Sequence, residues 1–171
     1  MKSSVRLPAF AKVNLCLHVI GRRPDGYHEL RTIFQAIGLH DTLEITRTRR
    51  PGITLEIDDP ALPSGRENLV HRAIEAMRRE LGYRGGIHAR LEKLIPVARG
   101  LGGGSSDAAT ALIAMLRLTG RQIPLERLIE IAAGLGADVP FFLFGGRSLG
   151  VNRGDEIYPL PDGPKSWVVV V

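Results

Sequence analysis

At 171 residues the chain has room for one domain with its own core, and its single cysteine, Cys16, excludes an internal disulfide. A formal charge of +5 and a pI near 9.9 favour anionic partners, whereas 5% aromatic residues argue against a base-stacking platform for single-stranded nucleic acid. No apolar run approaches the roughly 20 residues of a membrane span, Met1 to Phe10 is too poor in apolar residues for a signal peptide, and cysteine usage fits a reducing cytosol.

In chain order, Val13, Leu15, Leu17 and Val19 alternate with Lys12, Asn14, Cys16 and His18. That period of two predicts a half-buried strand over 11–20, with Lys12 and Asn14 sharing one face. Pro24-Asp25-Gly26 marks a turn, and residues 30–39, 42–47 and 53–57 read as three further strands. Asn68 is placed to cap a helix whose apolar face is Val70, Ala73, Ile74, Met77 and Leu81, with Gly82 ending it. Residues 87–91 predict a short strand, and Ser105, Ser106 or Asp107 is expected to cap a helix running through the alanine-rich stretch 108–116. Pro124 suits the first turn of a third helix carrying Leu125, Leu128, Ile129 and Ala132. Ser166 to Val171 reads as an apolar strand that stops in mid-run, so further chain is expected beyond it. Strands come first and helices follow with intervening strands, which indicates an α+β fold.

The most informative stretch is Pro96-Val97-Ala98-Arg99-Gly100-Leu101-Gly102-Gly103-Gly104-Ser105-Ser106-Asp107. Glycines let backbone come close to a ligand, and the helix after them offers free N–H groups and the positive end of its dipole. Such a cradle suits a polyphosphate. It is not a P-loop, because no lysine follows Gly104, and it is not the dinucleotide fingerprint, because Ser105 stands where the third glycine belongs. A purely structural glycine turn stays open on residues alone.

Pro-x-x-x-Gly-Leu-Gly-Gly-Gly-Ser-Ser-Asp-Ala-Ala resembles the phosphate loop of the galactokinase, homoserine kinase, mevalonate kinase and phosphomevalonate kinase superfamily. Three more motifs fall in the superfamily's order: Pro8 to Leu15, Asp25 to Leu30, and Leu135 to Phe142. They are similar to a member that phosphorylates a hydroxyl of a cytidine diphosphate sugar alcohol with ATP. The resemblance implies an N-terminal domain like the second domain of ribosomal protein S5, without the ferredoxin-like C-terminal domain of the family. It implies that Pro96 to Ser106 hold the ATP phosphates, that Asp138 and Lys12 are the catalytic acid and its partner, and that Asn14, Tyr27 and His28 contact substrate. Magnesium is expected with ATP, its protein ligand unknown.

Several positions keep a plainer reading beside this one. Asp138 alone could be the N-cap of a helix over 139–144, Lys12 a strand-face surface lysine, and Asn14 a structural amide. Tyr27 and His28 could be an ordinary turn tyrosine and an exposed histidine. At the level of function, the basic S5-like fold leaves an RNA-binding module or a nucleotide-binding domain without transfer activity as alternatives. Nucleic acid is disfavoured, because no arginine-rich tract accompanies the scarce aromatics.

Overall fold

The structure, a computed structural model, describes residues 3–22, 26 and 28–170. Two long strands, β1 (Ser4–Arg22) and β2 (His28–Thr48), form an antiparallel ribbon joined in register from Ser4↔Thr46 to Arg22↔His28. The two strands expected at 30–39 and 42–47 are therefore one. Asp41 does not break it, since its carboxylate turns inward and is satisfied there: Oδ1 accepts from the backbone N–H of Leu94 and of Ile95.

β3 (Ile53–Ile57) leads through helix α1 (Leu69–Glu80) to the parallel strand β4 (Gly86–Glu92), which also pairs antiparallel with residues 42–48 of β2. Parallel neighbours need such a crossover. Asn68 caps α1 as expected, its side chain accepting from the Val70 N–H at 2.8 Å. After the glycine loop come α2 (Gly103–Thr119), α3 (Leu125–Leu135) and the single turn α4 (Phe141–Phe144). The strands β5 (Arg147–Val151) and β6 (Glu156–Leu160) then extend the sheet, β5 pairing with residues 32–35 of β2. The sheet has six strands, ordered β3-β4-β2-β5-β6 with β1 on β2.

The core lies between this sheet and the helices. Leu43, Ile45, Ile87 and Leu91 from the sheet meet Ile74 and Met77 of α1 and Leu112, Met115 and Leu118 of α2. Eleven of the seventeen residues of α2 are buried, which makes it the central helix. Its alanines at 108, 109, 111 and 114 permit that close approach. Pro124 sits one position before α3 begins, as its N-cap.

Three expectations are corrected. On β1 the apolar residues Leu15, Leu17 and Val19 are exposed, while Lys12 is buried at 6% exposure. The inversion arises because the pairing of β1 with β2 shifts between Phe10 and Lys12 and again between Asn14 and Cys16, and such bulges re-aim side chains. None of Ser105, Ser106 and Asp107 caps α2. The helix starts at Gly103, with Gly102 at the cap in a left-handed conformation that only glycine adopts freely (φ 72°). Residues 161–170 form no strand, and Trp167 is fully exposed.

Candidate active site

The glycine loop joins β4 to α2 and is the floor of a cleft of about 450 Å³ lined by Lys12, Asn68, Lys93, Asp138 and residues 95–105. The first backbone bond of α2 runs from Ser106 N–H to Gly102 C=O, and no side chain among the described residues caps the helix. The N–H groups of the first turn are thus directed at the cleft, with the positive end of the dipole behind them. Gly102 cannot carry a side chain. A Cβ there would lie 2.7 Å from Phe142 Cζ and 3.1 Å from Lys12 Cγ.

Lys12 reaches this site from β1. Its backbone N–H donates to Leu101 C=O at 2.9 Å, tying strand to loop. Its Nζ donates to Asn14 Oδ1 at 2.6 Å, lies 3.4 Å from Asp138 Oδ2 and sits 5.4 Å from the centre of the Phe34 ring. Asp138 lies in the turn between α3 and α4, and α4 begins only at Phe141 with Pro140 as its cap. The capping alternative for Asp138 therefore falls. Its side chain is 36% exposed, so the pair stands at the border between the core and water.

A second charged cluster, which the sequence reading missed, holds both ends of the loop. Lys93, three residues before Pro96, pairs with Asp41 of β2 and donates to Asp107 Oδ2 of α2 at 2.7 Å. All three side chains are buried. Burial pushes Asp107 up to about 7, with Lys93 pulling against it and Asp41 adding to it. Burial works to lower Lys93, but the two carboxylates outweigh it and hold the ammonium above its ordinary range. Asp107 Oδ1 is buried and has no hydrogen-bond partner among the described residues. The signal available in sequence was a charge, Asp41, interrupting an alternating strand, and a lysine set between Leu91 and Ile95.

The sequence-named residues divide. Lys12, Asn14, Asp138 and the loop converge. Ser105 lines the cleft, whereas Ser106 is buried and lines a different cavity with Thr110 and Phe142. His28 is exposed at the far end of the ribbon, opposite Arg22. Eight residues of extended strand separate Arg22 from Asn14, roughly 26 Å. Tyr27 lies outside the described residues. No cluster of three or more His, Cys, Asp or Glu suited to a metal occurs among the described residues, nor is any helix there long and apolar enough to cross a membrane.

Residues 68–146, from the cap of α1 to the end of the glycine pair after α4, match the family described as GHMP kinases N terminal domain. The chain carries a GHMP kinase N-terminal domain. It is 52% identical over 165 residues to the 4-diphosphocytidyl-2-C-methyl-D-erythritol kinase of Solibacter usitatus, covering 96% of this chain and 52% of that protein. The same-named kinase of Pelotomaculum thermopropionicum is 47% identical, with 95% and 57% covered. The chain spans about half the length of the curated relatives it matches. A crystal structure of 4-(cytidine 5'-diphospho)-2C-methyl-D-erythritol kinase superposes with a TM-score of 0.75 at 43% identity, over 91% of this chain and 55% of that one. A homoserine kinase from Cytophaga hutchinsonii shares the fold at 23% identity and a TM-score of 0.71, over 94% and 53%.

Proposed function

We propose that this chain supplies the nucleotide-binding half of a cytosolic small-molecule kinase. The reaction transfers the γ-phosphoryl group of ATP to the 2-hydroxyl of 4-diphosphocytidyl-2-C-methyl-D-erythritol, a step of non-mevalonate isoprenoid synthesis. The observation that carries the reading is the Lys12–Asp138 pair, 3.4 Å apart at the mouth of a glycine loop that opens a buried helix. The relatives' names supply the acceptor.

On this reading the loop N–H groups and the dipole of α2 bind the phosphates, a task that a P-loop shares with its lysine. Phosphoryl transfer is mostly positioning and electrostatics. Asp138 orients the acceptor hydroxyl and accepts its proton as the oxygen bonds to the γ-phosphorus and the bond to the β-phosphate oxygen breaks. Lys12, 3.4 Å from Asp138, offsets charge on the phosphoryl oxygens. Magnesium, if it accompanies the nucleotide, would add charge neutralisation. Ser105 is the hydroxyl that lines the cleft and would be suited to hold it; no cluster of three or more His, Cys, Asp or Glu occurs among the described residues. His28, at the end of the ribbon, suits the distant cytosine end of a long substrate, with Tyr27 beside it in sequence.

An RNA-binding reading lacks the aromatic stacking residues and the arginine-rich tract it would want, and Arg6, Arg79, Arg127 and Arg153 are paired with the chain's own carboxylates. The test is ATP-dependent phosphorylation of 4-diphosphocytidyl-2-C-methyl-D-erythritol by this chain beside its Asp138→Asn variant. Turnover that vanishes in the variant is the expected result. Nucleotide binding without turnover would reduce the chain to a binding domain, and no nucleotide binding would sink the phosphate-loop reading.

A further inference from the structure

Thr32 lies on β2, 1% exposed, and is linked to Lys12 through the side chain of Asn14. Its Oγ1 donates to the Cys16 carbonyl at 2.7 Å and accepts from Asn14 Nδ2 at 2.6 Å. Both partners flank the second pairing shift of β1, which lies between Asn14 and Cys16. The bulge thus brings a side chain and a carbonyl to one buried hydroxyl.

A hydroxyl has a single proton. With that proton held by the Cys16 carbonyl, Thr32 offers only lone pairs to its other neighbour. Asn14 must then turn its NH2 toward Thr32, which leaves Oδ1 facing the opposite way, where Lys12 Nζ donates to it at 2.6 Å. The reverse orientation would set the amide NH2 against an ammonium and the amide oxygen against a hydroxyl with no proton to give. The order of donors therefore runs in one direction, from Lys12 through Asn14 and Thr32 to the backbone of Cys16.

We propose that Thr32 is a positioning residue for Lys12: through Asn14 it anchors the ammonium beside Asp138 and leaves a third N–H directed at the cleft. Its catalytic meaning rests on the kinase reading, but the anchoring itself does not. Thr32→Val keeps the shape and removes both the donor and the acceptor. Thr32→Ser keeps the hydroxyl.

The chain has four lysines, Lys2, Lys12, Lys93 and Lys165, so its side-chain ammonium nitrogens can be followed one by one by 15N NMR. Buried, hydrogen-bonded ammonium groups exchange slowly, and Lys12 and Lys93 are expected to give signals. In Thr32→Val the Lys12 signal shifts or broadens away while that of Lys93 stays. In Thr32→Ser both stay. In the ATP-dependent assay with 4-diphosphocytidyl-2-C-methyl-D-erythritol, Thr32→Val lowers kcat about tenfold with KM for ATP unchanged, and Thr32→Ser recovers to within about twofold, as one lost hydrogen bond to a charged group's partner would give. An unchanged Lys12 signal in Thr32→Val overturns the proposal, as does joint loss of the Lys12 and Lys93 signals, which marks a merely structural role. A wild-type chain that turns nothing over, while its Lys12 signal still depends on Thr32, overturns the kinase reading and upholds the anchoring.

Discussion

Lys93 and Lys12 flank the same glycine loop, and each meets an aspartate, yet the two sites are built for different ends. Around Lys93 everything is buried: its ammonium lies between Asp41 and Asp107, side chains that are 0% and 3% exposed. Asp41 also holds the backbone entering the loop, and Asp107 sits on the helix leaving it. Around Lys12 the packing is one-sided. Asp138 is 36% exposed and 3.4 Å away, and the lysine's other polar partner is the neutral amide of Asn14. A cation held between two buried carboxylates fixes geometry. A cation whose carboxylate partner stands at the edge of water can exchange partners as charge moves. The first cluster is the clamp on the loop, and the second is where transfer is proposed.

The sharpest way to break this comparison is at Asp138. Asp138→Asn is expected to cut turnover by a factor of roughly 10²–10⁴, the range for loss of a positioned proton acceptor, with a melting temperature close to that of the unaltered chain. A steady-state assay and a thermal melt decide it, and a large loss of stability would place Asp138 with the structural site instead. Lys93→Met should behave in the opposite way. Leaving two buried carboxylates without their cation costs roughly 3–5 kcal/mol, measurable by urea unfolding. A loss below about 1 kcal/mol would show that the cluster clamps nothing.

At the loop itself, Gly102→Ala places a methyl against Phe142 and Lys12 in a left-handed conformation that costs an L-residue roughly 1–2 kcal/mol. ATP affinity, followed by calorimetry on the folded variant, should fall about tenfold; unchanged affinity would remove the loop from the binding site.

The smallest expected effect concerns pH. Asp107 is raised to about 7 in the folded chain, so between pH 4 and 7 the folded state holds a proton that the unfolded state has released. Stability therefore falls as pH rises through that window and levels off above it. Asp107→Asn, which keeps an acceptor for Lys93 but cannot titrate, should lack this decline. Melting curves of both proteins from pH 4.5 to 7.5 test the sign, and parallel curves would show that the clamp is insensitive to the Asp107 proton.

The contrast between the two lysines also separates what local sequence could reveal from what it could not. The glycine loop, the α1 cap at Asn68 and the strand over 53–57 depend on neighbours in the chain, and periodicity and residue type located them. The convergence of Lys12 with Asp138 spans 126 positions and came only through motif resemblance; nothing in either local context decides it. The buried face of β1 was misjudged because bulges shift the pairing, and a strict period of two has no way to register an extra residue. The Lys93 cluster was missed for a related reason. Its members come from β2, the segment after β4 and α2, and each alone looks like an ordinary surface charge.

The long strand β2 carries a consequence for the order in which the molecule is assembled. It is flanked along its whole length by β1, yet its other side is shared between β4, at residues 42–48, and β5, at residues 32–35. The ribbon with β1 can close as soon as residue 48 has been synthesised. The pairing with β5 joins residues more than a hundred positions apart and waits until residue 150 has emerged. During that interval the stretch of β2 next to the proposed transfer site has one bare edge, and contacts of such sequence separation are slow to form. The part of the sheet that backs Thr32 and Phe34 is thus among the last to be completed during synthesis.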